Sequence, residues 1–144
     1  MRKQRFISAV IALVLVFTIC SEVTWADASD MLRSSPTLTR YGAVITEGDR
    51  AGRIVITYDV LASHIAESVG VSSIKIYKSG GSYVTTIYAT SLNGFTTSGA
   101  MSHRNSYTYT GTSGTSYYAE VTVFATIGGV TDSRTITTNT VKAP

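Results

Sequence analysis

The chain has 144 residues, of which 44% are hydrophobic, with one cysteine and a formal net charge of +3. This length suits a single ordinary domain, and one cysteine excludes a disulfide framework. Three of the twelve Lys and Arg residues fall in the first five positions and the others are scattered. The composition therefore excludes the concentrated basic surface of a nucleic-acid-binding protein.

Residues 1–28 predict a secretory signal peptide. A basic start over residues 1–5 is followed by an apolar run over residues 6–20 and by the small residues Ala26 and Ala28. This order of basic head, apolar middle and small-residue end is typical of a secretory signal. We therefore expect a secreted, extracellular protein.

Two other interpretations of the apolar run stay open. An uncleaved membrane anchor needs about 20 apolar residues, whereas this run is shorter. Lipidation at Cys20 would need a small residue before it, but Ile19 stands there. Cleavage near Asp27 or Ser29 would leave nine basic and seven acidic side chains, no cysteine and no membrane span.

The remainder of the chain predicts a loose leader over residues 29–38 and one all-β domain over residues 39–144. Val, Ile, Thr and Tyr alternate with clusters of Gly and Ser, which is typical of strands separated by turns. Seven strands are predicted, at residues 39–46, 53–62, 71–78, 82–89, 104–110, 116–126 and 130–141. Residues 63–69 predict one or two helical turns, and residues 91–102 a looser connection.

Alternation within the strands predicts which side chains are buried. In the second strand Ile54, Ile56, Tyr58 and Val60 fall on one face. In the sixth strand the apolar positions alternate in the same way from Tyr117 to Ala125. The third and fourth strands, joined by Gly80-Gly81, read as a hairpin. Because each strand needs one dry face, we expect two antiparallel sheets packed face to face.

The run over residues 70–84 resembles the central hairpin of bacterial immunoglobulin-like domains, and residues 107–133 continue that pattern. Thr115-Ser116-Tyr117 followed by Val121 is similar to the tyrosine corner of fibronectin type III domains. As a whole, the chain also resembles small secreted proteins of unknown function from Gram-positive bacteria. The resemblance implies a seven-stranded antiparallel immunoglobulin-like β-sandwich and an export route, and it implies no activity.

Residues with catalytic or metal-binding chemistry are sparse. His64 and His103 lack partners at zinc-ligand spacing, and we expect both to be solvated loop residues. Asp59 and Glu120 are predicted on outward faces, and the immunoglobulin-like resemblance implies that these faces belong to different sheets, too far apart for a glycosidase pair. The acidic turn at residues 47–49 has too few oxygens for calcium. No cofactor or metal is predicted, although a distant Ser-His-acid set stays open.

Aromatic residues give the strongest functional signal. In an immunoglobulin-like order, strands three, four, six and seven share a sheet. Its outward face would then carry Tyr77, Tyr118 and Phe124, with Tyr83 or Tyr88 from the fourth strand. Such rings can stack on a sugar or a protein ligand. The alternative is cross-strand aromatic pairing that only stabilises the sheet.

These observations predict a secreted, non-enzymatic binding or structural module of the bacterial cell envelope or medium. A cell-wall glycan or an envelope protein is the expected partner, and nucleic acid is not. A small secreted hydrolase and an antibacterial or pore-forming protein stay open as alternatives. Edge strands of an open sandwich could also pair with another chain.

Overall fold

The computed structural model describes residues 37–144. The signal peptide predicted over residues 1–28 lies outside the described residues, as does the leader predicted over residues 29–38 except for its last two positions. The described part of the chain is all-β and contains no helix. Its strands are β1 (Leu38–Glu47), β2 (Arg53–Ala66), β3 (Ser68–Lys78), β4 (Tyr83–Tyr88), β5 (Thr96–Thr97), β6 (Ala100–Thr110), β7 (Ser116–Ile127), β8 (Val130–Thr137) and β9 (Val141–Lys142).

The strands form two antiparallel sheets. In the three-stranded sheet the order is β1-β2-β6. In the six-stranded sheet the order is β4-β3-β7-β8, with the two-residue strands β5 and β9 beside β3 and β7. Predicted strands three, four, six and seven therefore do share a sheet, and the hairpin predicted between strands three and four is confirmed.

One hydrophobic core is formed by the inward positions of both sheets. Alternate residues of β2 and β7 are buried, as the period-two pattern predicts, and β3 follows this pattern after an irregularity between Val71 and Ser73. Its largest members are Tyr58, Tyr117, Phe95, Ile45, Ile54, Ile56, Ile74 and Ile76. Burying one such aliphatic side chain contributes roughly 1.5–3 kcal/mol, so these rows dominate the stabilisation of the fold.

Tyr117 fastens the turn that precedes β7. Its hydroxyl accepts a hydrogen bond of 2.9 Å from the backbone N–H of Thr112. Gly111 lies against the ring, where an added Cβ would come within 2.6 Å of the hydroxyl oxygen. Burial acts to raise the pKa of Tyr117, but hydrogen bonds from Thr112 and Thr115 and the charge of Lys78 lower that pKa overall.

Tyr58 is also buried in the core, but the surroundings of its hydroxyl differ from those of the Tyr117 hydroxyl. Its ring packs edge-on against Phe95, with centroids 5.9 Å apart, and lies 6.0 Å from the ring of His103. Only 1% of the side chain is exposed, and its hydroxyl has no hydrogen-bond partner among residues 37–144. Burial therefore raises the pKa of Tyr58 to about 12.

The helical turns predicted over residues 63–69 are wrong. β2 continues to Ala66 and β3 begins at Ser68. Glu67 between them donates its N–H to the carbonyl of Thr126. A seven-residue helix is marginal by itself, and here backbone pairing with neighbouring strands satisfies the same groups. Of the apolar residues in this segment, Ala66 and Val69 are buried in the core, whereas Ile65 is 72% exposed.

The loose connection predicted over residues 91–102 is also more ordered than expected. Phe95 is fully buried, its carbonyl accepts the N–H of Val71, and β6 already begins at Ala100. Asn93 shapes the preceding turn, because its amide donates to the carbonyl of Tyr88 at 2.8 Å. The local sequence is dominated by turn signals such as Asn93-Gly94 and Ser98-Gly99, whereas long-range pairing with β3 defines the segment.

The last predicted strand, residues 130–141, is interrupted. β8 ends at Thr137, and the chain then turns so that the side chain of Asn139 reaches the edge of β1. The Asn139 amide accepts from the N–H of Ile45 at 3.1 Å and donates to its carbonyl at 3.0 Å. These two bonds tie the six-stranded sheet to the edge of the three-stranded sheet.

Candidate functional site

The register of the six-stranded sheet places side chains in rows across its outward face. One row, here called the aromatic row, consists of Tyr83 on β4, Tyr77 on β3 and Tyr118 on β7. The adjacent polar row consists of Thr86, Lys75, Glu120 and Thr137 on β4, β3, β7 and β8. On β3 and β7 the two rows are two residues apart, which is about 7 Å.

The three tyrosine rings of the aromatic row contact one another. Tyr77 and Tyr118 are stacked, with centroids 5.2 Å apart and ring planes within 11°. Tyr83 meets Tyr77 edge-on at 5.9 Å and 74°. Because Tyr83 lies on an edge strand, 60% of it remains exposed. The row therefore presents a fixed aromatic surface with an accessible end.

Glu120 links the two rows. The hydroxyl of Tyr77 donates to Glu120 Oε2 at 3.1 Å, and Lys75 lies opposite Glu120 across the strand pair. Desolvation raises the pKa of Tyr77, and the hydrogen bond to the Glu120 carboxylate together with its charge raises it further. The carboxylate holds the tyrosine in its neutral, donating form and keeps a second oxygen for another donor.

Tyr88 and Phe124 stand apart from the aromatic row. Tyr88 lies opposite Ser73, about 17 Å along β4 from Tyr83, and is 68% exposed. Phe124 lies opposite Gly70, about 20 Å along β7 from Tyr118. Neither makes a ring contact with another aromatic residue in the described part of the chain. The structure thus brings together three of the five aromatic residues considered for binding; ligand binding by any of them stays a prediction.

The polar row was not anticipated from the sequence. Glu120 had been interpreted only as a solvated acid or as half of a catalytic pair. The spacing Tyr118-x-Glu120 on β7, matched by Lys75-x-Tyr77 on β3, is the signal that could have shown it. That signal can be interpreted only when the register is known to place Tyr77 opposite Tyr118. A shift of one residue would move the side chains of the strand to the other face of the sheet.

The acids and histidines considered for catalysis are dispersed. Asp59 and Glu120 lie on the outward faces of different sheets, as predicted, with the core between them. Both histidines lie on strands rather than in loops, because β2 and β6 extend over their positions, but His64 is exposed to solvent as expected. His103 is half-buried beside Tyr58, and its Nε2 donates to the carbonyl of Gly94 at 2.9 Å. His64 lies on β2 with Nδ1 3.2 Å from Ser63 Oγ.

The acidic turn at residues 47–49 is held by hydrogen bonds to Arg53, the first residue of β2. Asp49 accepts a 2.8 Å hydrogen bond from Arg53, and Gly48 donates its N–H to the Arg53 carbonyl. Across residues 37–144, no group of three or more His, Cys, Asp or Glu residues is placed to hold a metal ion.

Comparison of the chain with protein-family models, with curated proteins and with solved structures found no match. Within the described residues, no helix has the length and apolarity needed to cross a membrane.

Proposed function

We propose that this protein is an exported, non-enzymatic binding module that holds a saccharide on the outward face of its six-stranded sheet. Export rests on the signal-peptide pattern of residues 1–28, and the sites of action are the cell envelope or the surrounding medium. The resemblance to immunoglobulin-like and fibronectin type III-like domains agrees with a scaffold that carries its function on its surface.

The observation that carries the proposal is the pairing of the aromatic row with the polar row. A sugar ring presents an apolar C–H face and a rim of hydroxyl groups. Tyrosine rings can contact that face, while Glu120 and Lys75 can accept from and donate to the hydroxyl groups. Both kinds of group lie within about 7 Å of each other.

Cross-strand pairing alone explains less of this arrangement. An aromatic pair contributes about 0.5–1.5 kcal/mol to stability, and Tyr77 with Tyr118 already supplies such a pair. Tyr83 adds a third ring at an exposed edge. The carboxylate of Glu120 adds a hydrogen-bonding group, of which Tyr77 uses only Oε2. These additions favour ligand contact over sheet stabilisation.

The test compares two tyrosines of the same strand. Tyr83 belongs to the aromatic row, whereas Tyr88 has similar exposure but lies outside it. Binding of the purified protein to soluble cell-wall glycan fragments is measured by titration calorimetry. We expect Tyr83→Ala to weaken binding about tenfold, the loss of roughly 1.4 kcal/mol, and Tyr88→Ala to change it less than about twofold.

Other results would redirect the assignment. Equal losses from both substitutions would contradict a ligand seated on the aromatic row. If the protein binds no glycan fragment but captures an envelope protein, and if this capture depends on Tyr83, the ligand is a protein. Hydrolysis of a chromogenic substrate panel would favour the hydrolase alternative, and leakage from dye-filled vesicles would favour the antibacterial one.

A further inference from the structure

A concave surface lies on the outward face of the three-stranded sheet, across the core from the aromatic row. It is a shallow depression of about 310 Å³, lined in part by Gly42, Val44, Thr57, Asp59 and Arg104. Gly42, Asp59 and Arg104 lie side by side across β1, β2 and β6. No atom lies within 4 Å of where a Cβ of Gly42 would stand, so the glycine leaves the space open.

The charges around this depression are unbalanced. Asp59 Oδ2 forms an ion pair with Arg40 Nη2 at a distance of 3.2 Å. Arg104 stands directly opposite Asp59, yet its guanidinium makes no hydrogen bond or ion pair with any residue of the described chain. Two arginines and one aspartate thus share this part of the face, which gives it a net positive charge and leaves the planar guanidinium of Arg104 as an uncommitted donor.

We propose that this depression binds the carboxylate of an acidic saccharide, with Arg104 as its bidentate partner. A guanidinium matches a carboxylate through two parallel N–H donors. The remaining oxygen of Asp59 accepts from a hydroxyl next to the ligand carboxylate, and the Thr57 hydroxyl can donate to or accept from the same ring. Val44, 44% exposed, offers methyl groups to the C–H face of the sugar.

A saccharide fits this surface better than the carboxyl end of a peptide. Peptide carboxylates are commonly captured by clusters of backbone N–H groups. The central strand β2 pairs with neighbours on both sides, so its N–H groups are already used in the sheet. At the centre of the depression recognition therefore comes from side chains, and these supply one carboxylate partner beside hydroxyl-binding groups.

The test is an NMR titration of the isotopically labelled protein with glucuronic acid, glucose, acetate and a short peptide with a free carboxyl end. We expect saturable amide shifts around Gly42, Asp59 and Arg104 with glucuronic acid, and none with glucose. Arg104→Gln should weaken the interaction about tenfold or more, with Arg104→Lys intermediate. Arg50→Gln, an exposed arginine in the β1–β2 turn, is the matched control and should leave it unchanged.

The remaining outcomes overturn the proposal. Acetate binding as tightly as glucuronic acid would mean that no saccharide is recognised, and tighter binding of the peptide would transfer the site to peptide ends. Absence of shifts, or equal shifts in Arg104→Gln, would remove Arg104 as the partner. The Tyr83→Ala variant should titrate normally here, so failure of this site and failure of the aromatic row are separate results.

Discussion

Tyr117 and Tyr118 are neighbours in the chain and lie on opposite sides of the same sheet. Tyr117 is 2% exposed, bonds the turn before β7 and packs edge-on against Tyr109 at 5.9 Å. Tyr118 faces outward and stacks on Tyr77. The same side chain is therefore a structural fastening at one position and an accessible surface at the next. The pleat of β7, rather than residue type, decides which role it has.

Truncation to alanine should give the largest difference in stability between Tyr117 and Tyr118. We expect Tyr117→Ala to lower the free energy of unfolding by about 3–5 kcal/mol, because it leaves a cavity under the sheet. Tyr118→Ala should lower it by about 1 kcal/mol or less, since only an exposed aromatic pair is lost. Urea denaturation followed by circular dichroism measures both, and similar losses for the two variants would contradict the difference in role.

Alkaline pH should affect the tyrosines differently, because the fold raises the pKa of Tyr58, Tyr77 and Tyr109 and lowers the pKa of Tyr117. Burial raises the pKa of Tyr58 to about 12, whereas an unfolded tyrosine titrates near 10. Its stabilising contribution is complete below pH 10 and is lost as the pH rises from 10 to 12, by roughly 2–3 kcal/mol. The lowered pKa of Tyr117 acts in the opposite sense and the raised pKa of Tyr109 in the same sense.

Unfolding free energies measured at pH 9, 10 and 11 test this expectation. Tyr58→Phe removes the titrating hydroxyl and should flatten most of the alkaline loss. An equally steep loss in Tyr58→Phe would assign the effect to other groups.

Removal of the hydroxyl group should affect stability differently at the two core tyrosines, Tyr117 and Tyr58. Tyr117→Phe leaves the N–H of Thr112 without its acceptor, which should cost about 1–2 kcal/mol. Tyr58→Phe removes a hydroxyl that has no partner among residues 37–144, so stability should be unchanged or slightly higher. Thermal melts of the two variants beside the parent protein give the comparison, and a destabilised Tyr58→Phe would show that its hydroxyl has a stabilising partner.

The smallest expected effect concerns the outward face. Glu120→Gln removes the negative charge that holds the proton of Tyr77, so the pKa of Tyr77 should move down toward its ordinary value. Spectrophotometric titration of tyrosinate absorbance measures this shift. Stability near neutral pH should change by less than about 0.5 kcal/mol, because the site is at the surface. An unchanged tyrosine titration would mean that the hydrogen bond is not formed in solution.

Alternation alone predicted much of the fold. Ile54, Ile56 and Val60 on β2 and the corresponding positions of β7 are buried as the pattern indicated. The turn glycines predicted the hairpin at Gly80-Gly81, and the strand order implied by the immunoglobulin-like resemblance placed Asp59 and Glu120 on different sheets. The burial pattern and the hairpin depend on period-two patterns and on turn residues, both of which are written locally in the chain.

Features that depend on distant partners were not predictable. The strand across residues 63–66 is fixed by pairing with other segments, as the N–H of Ser63 bonded to the carbonyl of Thr37 shows. Phe95 is buried because its segment pairs with β3, although its sequence neighbours are polar and glycine. The aromatic row depends on the register of three strands. The sequence could therefore suggest five aromatic residues, but it could not show that three of them form the row while Tyr88 and Phe124 lie apart.

Asn139 has a consequence for how the molecule meets other chains. An exposed strand edge invites another strand to add itself, but the side-chain amide of Asn139 occupies both main-chain groups of Ile45 on β1. A single residue thus imitates one rung of an additional strand, and a guest polypeptide would have to displace this amide before it could pair with Ile45.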